Sequence, residues 1–223
     1  MKQSKRYRNN LEKIKGVKAI DKAIESFKDF KQAKFDESVE IHIKFGLDPA
    51  KSDQQIRTSV EFPNGTGKVL KIAVFAEGDK AKEAKKAGAD FVFGASEIEE
   101  MGKTGKIVFD VALATPQIMS QLARIAKVLG PKGLMPNPKA ETVTENIKKA
   151  ISLLRKGKTD LKNDSGGCIH QVIGKLSFKK EELIENYKAL MAVLEKQKPT
   201  KLKGKFIKSI SVSTTMGPGI KIG

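Results

Sequence analysis

Apolar and polar residues alternate from Val39 to Phe45, whereas Ile72 to Ala76 is apolar throughout. The first pattern, with Glu40, His42 and Lys44 on the polar side, predicts a half-buried strand of an antiparallel sheet. The second predicts a strand buried on both faces, as in a parallel sheet covered by helices. Two sheets of different kinds are therefore expected, and the chain of 223 residues has room for both. Between the two patterns stands Pro63-Asn64-Gly65-Thr66-Gly67, a dense cluster of breakers that forms the first candidate domain boundary.

The segments before that boundary read as an α+β portion. A basic helix is expected over Ser4 to Lys15, with Leu11 and Ile14 as its apolar pair and its charges either solvated or facing RNA. Ile20, Ala23, Ile24 and Phe27 recur at helical spacing, and Ile56 to Phe62 reads as a second strand. After the boundary, strands at Ile72–Ala76, Phe91–Phe93 and Val111–Ala114 alternate with helices. Asp79, Ser96 and Thr115 with Pro116 are the expected helix starts, and Thr144 opens another helix that ends at Gly157. Strands alternating with helices predict a parallel, doubly wound sheet.

That architecture calls for a test of nucleotide motifs, and they fail. The turn after the first parallel strand, Ala76-Glu77-Gly78-Asp79, has one glycine where a dinucleotide fingerprint needs three, and an acid where pyrophosphate would sit. Gly102-Lys103-Thr104 has the tail of a phosphate loop, but Glu97 occupies the position of its first glycine.

From Lys158 the pattern returns to antiparallel strands. Asp164-Ser165-Gly166-Gly167 predicts a hairpin turn between 158–163 and 168–174, and a long helix is expected over Lys179 to Gln197. The simplest packing joins the first and last portions, 1–65 with 157–223, and inserts 66–156 between them. The expected fold class is thus a discontinuous antiparallel α+β domain with an inserted α/β parallel-sheet domain.

Charge narrows the partner. Lys and Arg number 43 against 26 Asp and Glu, for a net charge of +17, and both portions carry an excess of positive charge. A polyanion is expected, nucleic acid first and an anionic membrane surface second. No apolar run is long enough to span a bilayer, and Met1 to Lys15 lacks a signal peptide's apolar core. The single cysteine, Cys168, rules out an internal disulfide framework and agrees with a reducing compartment. With no Trp and two Tyr, phosphate and shape contacts are expected to outweigh base stacking.

Catalytic patterns are sparse. Cys168 and His170 fall on one face of a strand, so a thiol with its base has to be weighed, but one face is not hydrogen-bond geometry and no orienting acid is evident. Together with His42 they are too few for a structural zinc site. A packing role for Cys168 and a polar or RNA-facing role for His170 are the plainer reading. The basic, proline-rich run Gly130 to Lys139 either covers a sheet edge or presents Lys132 and Lys139 to phosphate.

Near the C-terminus, Ile207 to Gly219 reads as a strand entering a rigid turn. Ser209, Ser211, Ser213 and Thr215 share one polar, uncharged face, and Thr214, Met216 and Gly217 follow or flank it. The segment is either an edge strand closing a sheet or a surface of hydroxyl donors with glycines that let a ligand approach.

Beyond these readings, the chain resembles large-subunit ribosomal proteins of the L-one family, in their bacterial or organellar form. The resemblance runs from Lys5 to Ile222. It rests on 33–38 (AKFDES), 46–49 (GLDP) with 52–54 (SDQ), 87–90 (AGAD), 130–139, 163–164 (ND), 169–170 (IH), 174–175 (GK) and 214–218 (TTMGP). It implies a discontinuous RNA-binding domain and an inserted Rossmann-like domain without a nucleotide. It further implies binding to large-subunit ribosomal RNA at the mobile stalk beside the exit site, contact with departing tRNA, and repression of the chain's own operon mRNA.

The family's recognition positions fall at Lys34, Phe35, Ser38, Ser209, Thr215, Met216 and Gly217, to which the strand reading adds Ser211 and Thr214. His170, Lys175, Lys132 and Lys139 are further candidate contacts. Ser38 departs from the family's commoner threonine, and Gly219 adds flexibility after Pro218. The resemblance implies no enzyme, cofactor, metal, membrane or small-molecule substrate. It implies a ribosomal location, cytoplasmic or organellar, and a monomer when free. An RNA-acting enzyme using Cys168 and His170, and a general binder of anionic surfaces, are the competing functions.

Overall fold

The computed structural model describes residues 4–14, 16–31, 33–49, 51, 54–138, 141–199 and 204–222. It divides into two compact units, Met1–Gly67 with Thr159–Gly223, and Lys68–Lys158.

The first unit is built on the alternation seen in sequence. Strand β1 (Ser38–Phe45) buries every second residue, and its buried set is Val39, Ile41, Ile43 and Phe45. It lies between β7 (Cys168–Lys175) and β8 (Ile207–Thr214), and a short β9 (Ile220–Ile222) closes the far side, giving the antiparallel order β7-β1-β8-β9. Strand β8 is therefore interior to the sheet, which removes the edge-strand alternative for Ile207 to Gly219. Three residues are too short a run to show periodicity, so β9 has no signature of its own in the sequence.

A pair of shorter strands, β2 (Arg57–Glu61) and β6 (Lys158–Lys162), forms a separate two-stranded sheet. The turn at 164–167 does form, with the Asp164 amide bonded to the Cys168 carbonyl at 2.8 Å. Its two arms then part, β6 to β2 and β7 to β1, so the expected hairpin does not extend into a ladder.

Helices α2 (Ile20–Lys28) and α8 (Lys180–Lys196) cover the apolar face of the four-stranded sheet. Phe27, Phe45 and Phe62 are among the largest side chains fully enclosed there, and burying each contributes about 1.5–3 kcal/mol. Asn186 on α8 is completely buried and satisfied: its amide donates to the Gly65 and Ile173 carbonyls at 2.8 and 2.7 Å, and its oxygen accepts from the Asn64 amide at 3.2 Å. The long helix thereby holds the breaker segment that ends the unit's first crossing. Helix α1 (Lys5–Lys13) starts at Ser4, whose hydroxyl accepts from the Tyr7 amide. Its buried residue is Asn10, not Leu11, which is exposed.

The second unit has a parallel sheet, ordered β4 (Phe91–Phe93), β3 (Ile72–Phe75) and β5 (Val111–Ala114). Each face has its own core, because the side chains of a strand alternate. Ala73, Phe75 and Ala114 face α4 (Ala95–Thr104), α5 (Met119–Leu122) and α6 (Ala126–Leu129); Ile72, Val74 and Leu113 face α3 (Gly78–Lys86) and α7 (Ile147–Arg155). The expected fold class, antiparallel α+β together with parallel α/β, is the one observed.

Helix starts differ in detail. Glu77 precedes α3, the Glu97 carboxylate accepts from the Gly94 amide at 3.0 Å to open α4, and Asn146 caps α7 with Thr144 behind it. The helix expected to open at Thr115 and Pro116 is broken, from Pro116 to Leu129, into alternating 3-10 and α turns.

Candidate functional site

The segment 33–38 and the turn 214–217 are far apart in sequence, and one buried carboxylate joins them. Glu37 is 4% exposed. One of its oxygens accepts from the Ala33 amide and the other from the Met216 amide, both at 3.0 Å. Burial by itself would raise its pKa. The Thr214 hydroxyl, these two amides and the nearby Arg6 guanidinium outweigh that and hold the carboxyl below its ordinary range. The residue stays ionised, and as an anion it is a stronger acceptor for the amides it fixes.

Beside this anchor β1 begins. The Ser38 amide donates to the Thr215 hydroxyl oxygen at 3.0 Å, and the Thr215 amide donates to the Ser38 carbonyl at 3.1 Å. Lys175, opposite Ser38 in the β1–β7 register, donates its ammonium to the Ser38 hydroxyl at 2.8 Å. Asp36 accepts from both the amide and the hydroxyl of Ser177, at 3.2 and 2.8 Å, and so fixes the loop on its other side.

Two large apolar side chains stand exposed on this frame, Phe35 at 54% and Met216 at 51%. Lys34, also exposed, precedes Phe35. An exposed phenylalanine and an exposed methionine on loops held this tightly lose little further entropy on being covered. With a hydroxyl pair and two ammonium groups alongside, the patch suits a ligand that has both apolar faces and anionic groups.

Gly217 serves this arrangement in a way its sequence context did not suggest. A Cβ there would overlap the Thr214 hydroxyl and crowd the Phe30 ring at 3.3 Å. It is the turn's own packing that requires a glycine at 217. At Gly219 a Cβ would meet open space.

Of the expected site residues, Lys34, Phe35, Ser38, Lys175, Thr215, Met216 and Gly217 are gathered at this one end of the sheet. Thr214 is placed differently. It is 4% exposed and its hydroxyl is engaged by Glu37, so it supports the site from beneath. Ser209 and Ser211 lie on the half-exposed face of β8, opposite Lys44 and His42 of β1. Ser209 is six residues from Thr215, roughly 20 Å along a strand, so it belongs to a different part of the face.

His170 is exposed and faces His42 across the β1–β7 pair, with Nδ1 to Nδ1 at 2.9 Å. Burial, and then the charge of His170, push the His42 pKa down against the opposing effect of Glu40. Lys132 is exposed on a turn of the second unit, and Lys139 lies outside the described residues. Glu37 and Asp36 were not singled out in sequence. An acid in a segment of mixed charge signals no burial, and only the position of Glu37 one residue before an alternating strand places it inward.

The family model of the Ribosomal protein L1p/L10e family matches residues 27–218. The chain is 48% identical to the large ribosomal subunit protein uL1 of Thermosipho melanesiensis over 99% of this chain and 96% of that protein. It is 48% identical to that of Kosmotoga olearia and 50% identical to that of Chlamydia caviae, with the same coverage.

Proposed function

Because the chain belongs to the ribosomal protein L1p/L10e family, a family of ribosomal proteins and not of enzymes, we propose that it binds large-subunit ribosomal RNA at the mobile stalk. The observation that carries this reading is the Glu37 anchor, which fixes exposed Phe35 and Met216 beside Lys34, Lys175, Ser38 and Thr215. Structured RNA exposes ribose hydroxyls and base edges in a shallow groove, so hydroxyl and amide groups held on a rigid turn can read its shape. Phe35 and Met216 cover sugars or bases and exclude water from those bonds. Lys34 and Lys175 supply the salt-dependent phosphate attraction. The domain that carries this site is the discontinuous one, 1–65 with 157–223 in sequence terms, and 66–156 is an insertion.

On the same reading the protein contacts exit-site tRNA, helps release deacylated tRNA, and represses its own operon mRNA through an RNA fold like that of the stalk. It acts within the large subunit of a cytoplasmic or organellar ribosome and is monomeric when free. These finer roles rest on the family resemblance. Competition binding tests the RNA reading: a stalk fragment of large-subunit RNA should displace labelled stalk RNA at far lower concentration than random RNA of equal length. Equal displacement would favour a general binder of anionic surfaces.

A further inference from the structure

Outside the Glu37 patch, the first unit brings together Asp164, Cys168 and His170, whose ligand atoms all lie within 4.8 Å of one another. Among the described residues this is the only such group of histidine, cysteine and acidic side chains. We propose that these three residues form a surface site for a borderline divalent cation of the zinc class, independent of the RNA reading.

The donors are a thiolate sulfur, an imidazole nitrogen and a carboxylate oxygen, the mixed set that such ions take and that magnesium or calcium does not. Two of the three are already aimed. The Cys168 amide donates to Asp164 Oδ1 at 2.7 Å, and the turn that makes this bond turns the other oxygen, Oδ2, toward His170. Asp164 Oδ2 and His170 Nε2 are 3.5 Å apart. That is long for a charge-assisted hydrogen bond. It matches the separation of roughly 3.3–3.8 Å between ligand atoms bound at about 2.0–2.3 Å to a tetrahedral ion. The other pairs of ligand atoms lie within 4.8 Å, so shifts of about 1 Å bring them to that spacing.

The imidazole is held from behind. His170 Nδ1 meets His42 Nδ1 at 2.9 Å, and His42 Nε2 meets the Ser213 hydroxyl at 3.0 Å. Two proton placements satisfy this relay. In one, His170 carries its proton on Nε2, toward Asp164. In the other, His170 donates Nδ1–H to His42, His42 donates Nε2–H to Ser213, and His170 Nε2 presents a lone pair. Cation binding selects the second, with His42 as the outer partner that orients a ligating histidine. The nearest ammonium in the strand register, Lys44, is turned onto the Gly166 carbonyl. Three protein ligands leave one coordination position for water or an anionic oxygen.

Cobalt(II) is the probe, because its thiolate complexes have a near-ultraviolet charge-transfer absorption. Titrating the full, reduced chain should raise this band to saturation at one equivalent. Cys168→Ser should abolish the band; His170→Ala and Asp164→Asn should each remove stoichiometric binding; His42→Ala should weaken binding by roughly 10-fold. Zinc should bleach the band by displacement. Circular dichroism of each variant separates lost ligation from lost folding. Absence of a thiolate band, or a band unchanged in both His170→Ala and Asp164→Asn, would overturn the site.

Discussion

Ser38 and Thr215, 177 residues apart, close a reciprocal pair: the Ser38 amide reaches the Thr215 hydroxyl at 3.0 Å, and the Thr215 amide reaches the Ser38 carbonyl at 3.1 Å. Glu37 sits one residue before the pair and Met216 one residue after it, and the bond between them doubles the closure. Removing the charge at Glu37 keeps its shape but weakens two part-buried amide bonds. Glu37→Gln should cost about 1–3 kcal/mol of unfolding free energy in urea titration. A change within about 0.5 kcal/mol, the usual size for a surface site, would mean that the anchor is not formed.

Acid should act on the same anchor. Glu37 has a folded pKa below its ordinary 4.5, so its contribution is complete above that value and is lost as pH falls through the folded pKa. Between pH 5 and pH 3 the wild-type melting temperature should therefore fall more steeply than that of Glu37→Gln. Parallel curves would contradict this.

His42 titrates in another window with the same sign. Its folded pKa is depressed below 6.5, so neutral His42 is favoured by folding. Its stabilising effect is complete above pH 6.5 and declines as pH drops toward the folded value. Melting curves between pH 8 and pH 5 should show this slope in the wild type, and His42→Gln should flatten it.

Lys34 is exposed, and in the proposed site it would act by charge. Lys34→Ala should weaken RNA binding and reduce the slope of log affinity against log salt by about one. An unchanged slope across a salt series would remove Lys34 from the phosphate contacts.

Much of this frame was legible in sequence because it depends on local period and punctuation. The alternation in β1, the apolar run at Ile72 and the breaker at 63–67 each state a local environment, and the two kinds of sheet follow from them. What escaped depends on pairing between distant segments. The turn at 164–167 was readable, but that its arms part to different sheets was not. Thr214 and Thr215 carry the same hydroxyl, and only the point where β8 ends decides that one is buried under Glu37 and the other turned toward Ser38. Asp164 stands four residues before Cys168, but only the geometry of its turn brings the carboxylate toward His170.

The unit Met1–Gly67 with Thr159–Gly223 encloses its own hydrophobic core. Joined by a short glycine linker in place of Lys68–Lys158, it should fold cooperatively and retain binding to stalk RNA. A product without a cooperative transition, or one that does not bind, would defeat the discontinuous-domain reading.

The most direct test of the account is filter binding of a stalk RNA fragment at moderate salt, with Thr215→Val and Met216→Asp. Thr215→Val removes the hydroxyl that holds Ser38, and Met216→Asp puts a carboxylate at an exposed position that the proposed site turns toward RNA. Both variants should fold, and both should bind at least about 10-fold more weakly, a loss of about 1.4 kcal/mol or more. Affinities equal to that of the wild type in both would show that RNA is bound elsewhere.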